Sequence, residues 1–361
     1  MNILVITREF PPYVLGGQSY HLGHLYSAFE QQGHRVTVLA GKCPGYKYEA
    51  ETSVPENATV YRIPFGSFRG HRVRFSAALA RFLWDFDIGP YDVAFAHTEL
   101  PFSPDLPLIT KYHDCTREMR QYKTGMASHR RLIDHAVDPI RRWVERRSLR
   151  ISDRAVFNSA LCRRAWGRHY DMSTPTSVIH NGVDRSTFFP RDVEGDDDGE
   201  EYVLFVGDEE RKGLSRVLSF ARHSSYEVHL VGLDEVAEPN VTALGRVTPK
   251  ELACLYSGAL ATIHPAKFEA FGNVVLESLA CGTPVVTTER CGAAELLDDS
   301  CGVVTDDVIS GVEACVGLEP EDCIAVARRH SWARVAERTI AVAEGIVTPT
   351  HAPTLDGVDG V

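Results

Sequence analysis

The feature that most constrains the fold is an apolar strand followed by a glycine turn, a helix and a second strand, and the chain carries this unit twice. The first copy reads "NILVIT", "LGGQ", an apolar-periodic stretch to Phe29 and "HRVTVLA". The second begins with "YVLFVG" at residue 202 and continues to "EVHLVG". Strands that alternate with helices at this spacing predict parallel sheets. We therefore expect an α/β protein with two doubly wound, Rossmann-like domains that face a central cleft.

The domain boundaries follow from composition along the chain. A length of 361 residues suits two domains of roughly 150 to 200 residues each. The acidic, glycine-rich segment "RDVEGDDDGEE" has the character of a solvated linker, so we place the domains at 1–190 and 201–331. A helix at 332–347 is a candidate to cross back to the first domain, and 348–361 is an expected disordered tail.

Composition argues against several other classes of protein. The first apolar run, in "MNILVITREF", is too short for a signal peptide, and no stretch reaches the roughly 18 to 20 apolar residues of a membrane span. A cytoplasmic location is expected. The nine cysteines form no CxxC pair, and none has a histidine partner at zinc-finger spacing, which predicts buried free thiols and no metal site.

The charge is distributed unevenly. The net charge is −11, yet the segment Arg117–Arg168 holds fourteen basic residues against five acids, a local balance of +9. Its basic amphipathic helices could bind an anionic membrane surface peripherally, or could form the solvated face of a structural helix. No nucleic-acid partner is expected, because the chain is acidic and no aromatic-interleaved basic motif is present.

Candidate residues of the first domain follow predicted strands. Gly16 and Gly17 open the first helix, where they serve either the turn geometry alone or the close approach of a phosphate to helix N–H groups. His97 and His113 each follow an apolar strand. A histidine at such a position is a capped loop residue or a hydrogen-bonding and proton-transfer group for a sugar. Two at neighbouring strand ends favour a shared site at the cleft.

In the second domain, Arg211 and Lys212 follow a strand and flank Gly213 before a helix. Such a pair is either a solvated basic turn or a clamp on a diphosphate whose charge develops as it leaves. Helix starts normally prefer acids, which disfavours the solvated turn.

The most informative segment is "HPAKFEAFGNVVLESLACGTPVV". Glu269 lies in a loop, Phe271, Gly272 and Asn273 open a helix, and Glu277 lies one turn inside it. The helix N–H groups suit a phosphate, and the two carboxylates could accept hydrogen bonds from sugar and ribose hydroxyls. Spacing alone does not exclude acids that merely lie in a loop and on a helix face.

This segment closely resembles the E-x7-E motif of the family 4 retaining glycosyltransferases, which have the GT-B architecture. The resemblance spans the chain to about Ile346. It extends to other motifs in the same order, namely "GG" at Gly16 and Gly17, "HD" at His113, "NGVD" at Asn181 to Asp184, "RKG" at Arg211 to Gly213 and "GRV" at Gly245.

The resemblance implies a role for each matching residue. Gly17 would contact the donor phosphate through its amide, and Lys212 would clamp the diphosphate. Glu269 would hold hydroxyls of the donor sugar, Glu277 would hold the nucleotide ribose, and His113 would lie near the transferred sugar and the acceptor.

It also implies that the amides of Phe271, Gly272 and Asn273 receive the diphosphate. On the acceptor side the candidates are Gly16, His97 and Asn181. The donor would be a nucleotide-diphosphate sugar, bound by the second domain without a cofactor or metal. The acceptor, bound by the first domain, would be a glycan, a lipid-linked molecule or a small molecule.

One position departs from the family pattern. Asp208 stands where an arginine commonly joins the lysine, so an anion would repel the donor phosphate by about a few kcal/mol at low dielectric. Arg211 could take over the missing role. Two alternatives therefore stay open: a non-catalytic nucleotide-sugar-binding homologue, and a nucleotide-sugar epimerase on the same architecture.

Overall fold

The computed structural model describes residues 1–14, 17–48, 54–66, 70–122, 128–192 and 201–347. The first part of the chain contains strands β1 (Asn2–Thr7), β2 (Tyr13–Val14), β3 (Arg35–Lys42), β4 (Lys47–Tyr48), β5 (Thr59–Pro64), β6 (Val93–Ala96), β7 (Leu108–Tyr112), β8 (Arg154–Phe157) and β9 (Thr176–Val178). Its helices are α1 (Gly17–Gln31), α2 (His71–Leu83), α3 (Thr116–Arg120), α4 (Ser128–Ile151) and α5 (Ala160–Gly167).

The second part contains β10 (Tyr202–Val206), β11 (Glu227–Val231), β12 (Val241–Gly245), β13 (Ala261–His264), β14 (Val285–Thr287) and β15 (Gly302–Val304). Its helices are α6 (Leu214–His223), α7 (Pro249–Gly258), α8 (Asn273–Ala280), α9 (Val308–Cys315), α10 (Pro320–Arg328) and α11 (Trp332–Val347). Two 3-10 turns, Glu210–Lys212 and Gly292–Leu296, also belong to this part.

The first sheet has seven parallel strands in the order β5-β3-β1-β6-β7-β8-β9. Strand β1 reads as a continuous apolar run because both of its faces are covered. Ile3 and Val5 pack in one cluster with α1, and Leu4 and Ile6 pack in another with α2. Helices therefore cover both faces of the sheet, as predicted.

The second sheet has six parallel strands in the order β12-β11-β10-β13-β14-β15. Val203 and Phe205 of β10 pack against α6 and α9, whereas Leu204 packs against α7. The two sheets confirm the predicted fold class of two doubly wound α/β units. In each sheet the strand order reverses beside the first strand, and ligands of such sheets bind at the carboxyl ends of the strands at that point.

The last helix lies against the first sheet rather than the second. Val335, Ala336 and Ile340 of α11 share a buried cluster with Leu22 and Phe29 of α1. The Gln32 side chain donates a 2.9 Å hydrogen bond to the carbonyl of Ala333. The acidic linker at 193–200 and the tail at 348–361 lie outside the described residues.

The two α/β units also contact each other directly. The Ser159 hydroxyl donates to the Ala270 carbonyl at 2.6 Å. The Glu295 carboxylate accepts from the backbone N–H groups of Ala160 and Leu161 at 2.9 and 2.7 Å, at the start of α5. His180 Nε2 lies 3.1 Å from the same carboxylate. These contacts hold the units in one closed arrangement.

The cysteines follow the prediction with one exception. All nine are free thiols, and eight are buried. Cys254 on α7 is exposed, because it lies on the solvent side of a helix that turns Ala253 and Tyr256 toward the sheet.

Candidate active site

The site candidates converge on a cleft between the two sheets. One cavity of about 330 Å³ is lined from the first part of the chain by His113 and Asn158, and from the second by Lys212, Glu269 and the start of α8. A larger cavity of about 780 Å³ adjoins it and contains Glu277. His21 and Asn273 line both. The carboxyl ends of the strands thus bring together residues that are far apart in sequence.

Lys212 ends the 3-10 turn that follows β10. Gly213 comes next with a φ of +98°, and a side chain there would meet the Pro265 carbonyl oxygen at 2.2 Å. Only glycine fits this close approach in the left-handed region. The Lys212 side chain lines the cleft cavity, and its ammonium group has no hydrogen bond or ion pair with another described residue. It is therefore a cation available to a ligand.

Glu269 is half-buried in the loop after β13 and is paired with Arg211. Its Oε2 lies 2.5 Å from a guanidinium nitrogen of Arg211, whose Nε lies 2.5 Å from Glu209. Burial alone would raise the pKa of Glu269, but the Arg211 guanidinium, aided by His264 and Lys212, brings that pKa below its usual value. Glu269 is thus an ionised acceptor for hydrogen bonds.

The pairing changes what Arg211 can do. We expected Arg211 to join Lys212 on a diphosphate, but in this structure two carboxylates already hold its guanidinium. Asp208 is exposed, and it lies outside the set of described residues that line the two cleft cavities. Solvent therefore screens its charge, and the expected repulsion of about a few kcal/mol is an overestimate.

The start of α8 lies at the cleft cavity. Gly272 precedes the helix with a φ of +98°, and a Cβ at this position would lie 2.8 Å from Cys291 Sγ. Phe271 is buried, and Asn273 begins the helix and accepts a 3.0 Å hydrogen bond from Asn181. The first N–H groups of a helix have no partner within it, so they suit a phosphate.

Glu277 lies on the next turn of α8, facing the larger cavity. The Tyr256 hydroxyl donates to its carboxylate at 3.1 Å. Burial raises the pKa of Glu277 to about 7, although the bond from Tyr256 and the charge of Lys212 act in the opposite direction. The two glutamates of the motif therefore differ in charge near neutral pH, which their spacing does not reveal.

In the first sheet, His113 follows β7 and lines the cleft cavity. His97 follows β6 but is 3% exposed, and it lies behind His113, with its Nδ1 2.8 Å from Nε2 of His113. His97 does not line either of the two larger cavities; it lines a small one of about 20 Å³ beside Gln18 and His113. Its place at the cleft therefore stays a prediction. Gly17 is the first residue of α1, and Gly16 lies outside the described residues. Asn181 lies at the junction of the two units, beside Asn273.

Two further histidines, His21 and His264, which are not among the predicted site residues, line the same cavity. His21 of α1 is 2% exposed, and both of its ring nitrogens lack a hydrogen-bond partner among the described residues. His264, the last residue of β13, is 1% exposed and likewise unpartnered. Burial lowers the pKa of His264 to about 4, so its ring is neutral. The position of His264 at a strand end is the signal that could have found it.

The fold and the cleft define a class of protein, and comparisons with known proteins name it. The first part of the chain, residues 15–187, matches the family described as Glycosyltransferase Family 4, and residues 187–309 match Glycosyl transferases group 1. These matches and the two facing parallel sheets make the protein a glycosyltransferase of the GT-B architecture. The chain belongs to glycosyltransferase family 4.

Individual relatives agree with this assignment. A glycogen synthase of Mycobacterium tuberculosis is 26% identical over 92% of this chain and 89% of its own. A phosphatidyl-myo-inositol mannosyltransferase of Mycolicibacterium smegmatis is 26% identical over 92% and 91%.

Solved structures share the fold. The sucrose-phosphate synthase of Thermosynechococcus elongatus superposes with a TM-score of 0.75 at 18% identity, over 96% of this chain and 99% of that one. Anabaena HepE in complex with UDP gives a TM-score of 0.68 at 17% identity, over 96% and 100%.

Proposed function

We propose that the protein is a retaining glycosyltransferase that needs no metal ion and moves a sugar from a nucleotide-diphosphate donor to a glycan, a lipid-linked molecule or a small-molecule acceptor. The observation that carries the proposal is the joint placement of Lys212, Glu269 and the start of α8 around one cavity, with His113 across the cleft. Anabaena HepE, which shares this fold, has been solved in complex with UDP.

The diphosphate would lie at the start of α8 beside Lys212. Both groups are positive ends that face the cleft, and both stabilise the charge that grows on the phosphate as the glycosidic bond breaks. A fixed cation and a helix terminus supply the charge neutralisation that a metal ion would otherwise provide. This supports chemistry without a metal.

The sugar would lie between Glu269 and His113. Glu269 is ionised and already accepts from Arg211, so it is suited to hold sugar hydroxyls in place rather than to attack carbon. In the proposed step the acceptor oxygen bonds to the anomeric carbon from the face that the phosphate leaves. The acceptor hydroxyl gives its proton to a phosphate oxygen on that face, which keeps the anomeric configuration.

The substitution Glu269→Gln tests this assignment. We expect turnover of the preferred sugar among UDP-, GDP- and ADP-sugars to fall by about 10²-fold or more, because a positioned charge at the reacting sugar is lost. Affinity for the free nucleoside diphosphate should be unchanged or tighter, since Lys212 and α8 remain and Arg211 is released. Glu313→Gln, an exposed glutamate on α9, is the matched control.

The product assay uses a membrane-lipid extract and simple sugars as acceptors, with proton NMR of the anomeric centre and a parallel reaction in EDTA. An inverted anomeric centre or loss of activity in EDTA would contradict the proposed mechanism. Donor binding without turnover by any acceptor would favour the non-catalytic homologue. Release of an altered nucleotide sugar would favour the epimerase, and absence of all donor binding would make Asp208→Arg the next variant.

A further inference from the structure

Three polar side chains of the first domain form a hydrogen-bonded chain that runs from the core to the cleft. The Tyr26 hydroxyl of α1 lies 2.5 Å from Nε2 of His97, and Nδ1 of His97 lies 2.8 Å from Nε2 of His113. Tyr26 and His97 are 0% and 3% exposed. We call these three residues the Tyr-His-His chain.

The backbone around His97 is fixed from two sides. Its N–H donates to the Ile6 carbonyl at 2.8 Å, and its carbonyl accepts from the Gln18 side chain at 2.8 Å. The two imidazole rings are nearly parallel, with centroids 5.1 Å apart and an interplanar angle of 29°. The hydrogen bonds of the chain are therefore held in one geometry by buried structure.

Counting protons settles the direction of these hydrogen bonds. Burial lowers the pKa of both histidines well below the usual value, so each ring is neutral and carries one N–H. Burial also keeps the Tyr26 phenol protonated by raising its pKa. Among the described residues, Tyr26 Oη has only His97 Nε2 as a hydrogen-bond partner, and a buried O–H without an acceptor is costly. Tyr26 therefore donates to Nε2 of His97.

The remaining protons follow in order. His97 must carry its hydrogen on Nδ1, which donates to Nε2 of His113. His113, whose Nε2 accepts this bond, must carry its own hydrogen on Nδ1. From this geometry we infer that Tyr26 and His97 are positioning residues that fix His113 as a hydrogen-bond donor toward the transferred sugar or the leaving phosphate, and prevent it from acting as a base.

This inference rests on the proposed function and deepens it. A substrate oxygen can accept a hydrogen bond from the N–H at Nδ1 of His113. This N–H adds to the N–H groups at the start of α8 in stabilising negative charge on the donor. A donor-only His113 also leaves the phosphate oxygen as the group that receives the acceptor proton, which agrees with the proposed same-face step.

A transition-metal site is the competing interpretation of the same residues. Ligand atoms of His21, His97 and His113 all lie within 4.8 Å of one another. Two ligands on a tetrahedral zinc ion, each at about 2.0 to 2.1 Å, lie about 3.3 Å apart. The distance of 2.8 Å between Nδ1 of His97 and Nε2 of His113 instead fits an N–H···N hydrogen bond. The buried side chain of Lys111 raises the electrostatic potential at all three rings, which also disfavours a cation.

The test uses the full chain labelled with ¹⁵N in histidine, because ring nitrogen shifts separate protonated from unprotonated nitrogens. We expect the wild-type His113 ring, assigned with His113→Asn, to be protonated at Nδ1. In Tyr26→Phe, which removes only the hydroxyl, His97 is free to move its proton to Nε2, and the His113 signals should shift toward a mixture of tautomers. Tyr202→Phe removes a phenol hydrogen bond to Leu255 in the second domain and is the matched control.

Turnover provides a second readout. Tyr26→Phe should lower kcat by about tenfold and leave KM for the donor within about twofold. The substitution loosens the tautomer of His113 but leaves the His113 ring in its place at the cleft. A wild-type His113 protonated at Nε2 would overturn the inference. Unchanged His113 signals in Tyr26→Phe would also overturn it, as would stoichiometric Zn²⁺ binding that shifts the signals of all three histidines. If no donor turns over, a change of the His113 tautomer in Tyr26→Phe still supports the Tyr-His-His chain. In that case only the proposed function is refuted.

Discussion

Glu277 shows how burial changes the chemistry of a residue whose position is easy to predict. Its pKa is raised to about 7 by burial. An ionised carboxylate accepts hydrogen bonds from both ribose hydroxyls, whereas a protonated one must turn a hydrogen toward one of them. We propose that Glu277 holds the donor ribose, as the family resemblance implies, and we expect this contact to be sensitive to pH near neutrality.

We predict that affinity for the donor nucleotide sugar rises as the pH increases from 6 to 8, since Glu277 ionises in this range. Tyr256→Phe should move this rise to higher pH, because the hydrogen bond from Tyr256 lowers the pKa of Glu277. Isothermal titration calorimetry at several pH values measures both. The titrant should be a nucleotide sugar rather than a free nucleoside diphosphate, because the phosphates of a nucleotide sugar carry a constant charge in this pH range.

Glu277→Gln is the control and should bind with no rise between pH 6 and 8. The other nearby groups do not imitate the effect. His264 has a pKa of about 4, and Lys111, with a pKa of about 7, loses positive charge as pH rises and so weakens binding of an anion. A rise that persists in Glu277→Gln would refute the assignment.

Helix α4 presents the apolar and basic residues that bear on membrane association. Val137, Ile140 and Trp143 are spaced at helical intervals and are 38%, 52% and 58% exposed. Arg146 and Arg150 are exposed on the same helix, whereas Asp138 pairs with four arginines, Arg117, Arg120, Arg141 and Arg142. Part of the basic excess is therefore neutralised, and the alternative of membrane binding depends on the apolar stripe and the remaining arginines. No described helix has the length and apolar character to cross a bilayer.

We predict that the protein co-sediments with vesicles containing anionic phosphatidylglycerol and much less with neutral vesicles. Trp143→Ala should weaken this binding several-fold, because an indole ring buried at the lipid interface is lost. Trp84→Ala removes another tryptophan of the first domain, 88% exposed and outside α4. Equal losses for both variants, or equal binding to neutral vesicles, would show that α4 is an ordinary solvated face.

Glu295 joins the two α/β units of the molecule at the start of α5. Burial would raise its pKa, but His180 and the N–H groups of Ala160 and Leu161 hold that pKa below the ordinary value. A carboxylate whose pKa is lowered by folding stabilises the contact above its unfolded pKa and loses that effect as pH falls through the folded value. The closed arrangement should therefore weaken in acid.

We predict that Glu295→Ala shifts the molecule toward more open forms, since loss of a capping carboxylate costs about 1 kcal/mol. Small-angle X-ray scattering without nucleotide should then give a larger radius of gyration than in the wild type, and saturating donor should restore compaction. Glu313→Ala, an exposed glutamate on α9, should leave the radius unchanged. An identical radius for Glu295→Ala and wild type, with or without donor, would contradict closure through this contact.

The sequence alone determined the fold class, because its evidence is local. Apolar runs such as Ile3 to Ile6 and glycine turns at strand ends depend only on neighbouring residues, and they predicted both parallel sheets. The placement of Lys212 and Glu269 after strands, and of Glu277 one turn inside a helix, was likewise predictable, since the carboxyl ends of parallel strands meet at one edge.

Tertiary structure decided which side chains meet and what charge they carry. Arg211 and Glu269 are 58 residues apart, and Tyr26 and His97 are 71 apart. No periodicity links such pairs, so the sequence placed His97 at a strand end but did not reveal that packing under α1 buries its ring. The pKa of a side chain depends on burial and on charges from both units, and these exist only after the chain has folded. The sequence therefore shows the residue types and the strand ends. The hydrogen-bond partners of each side chain, its protonation state and the contact between the two units are fixed only by the three-dimensional packing.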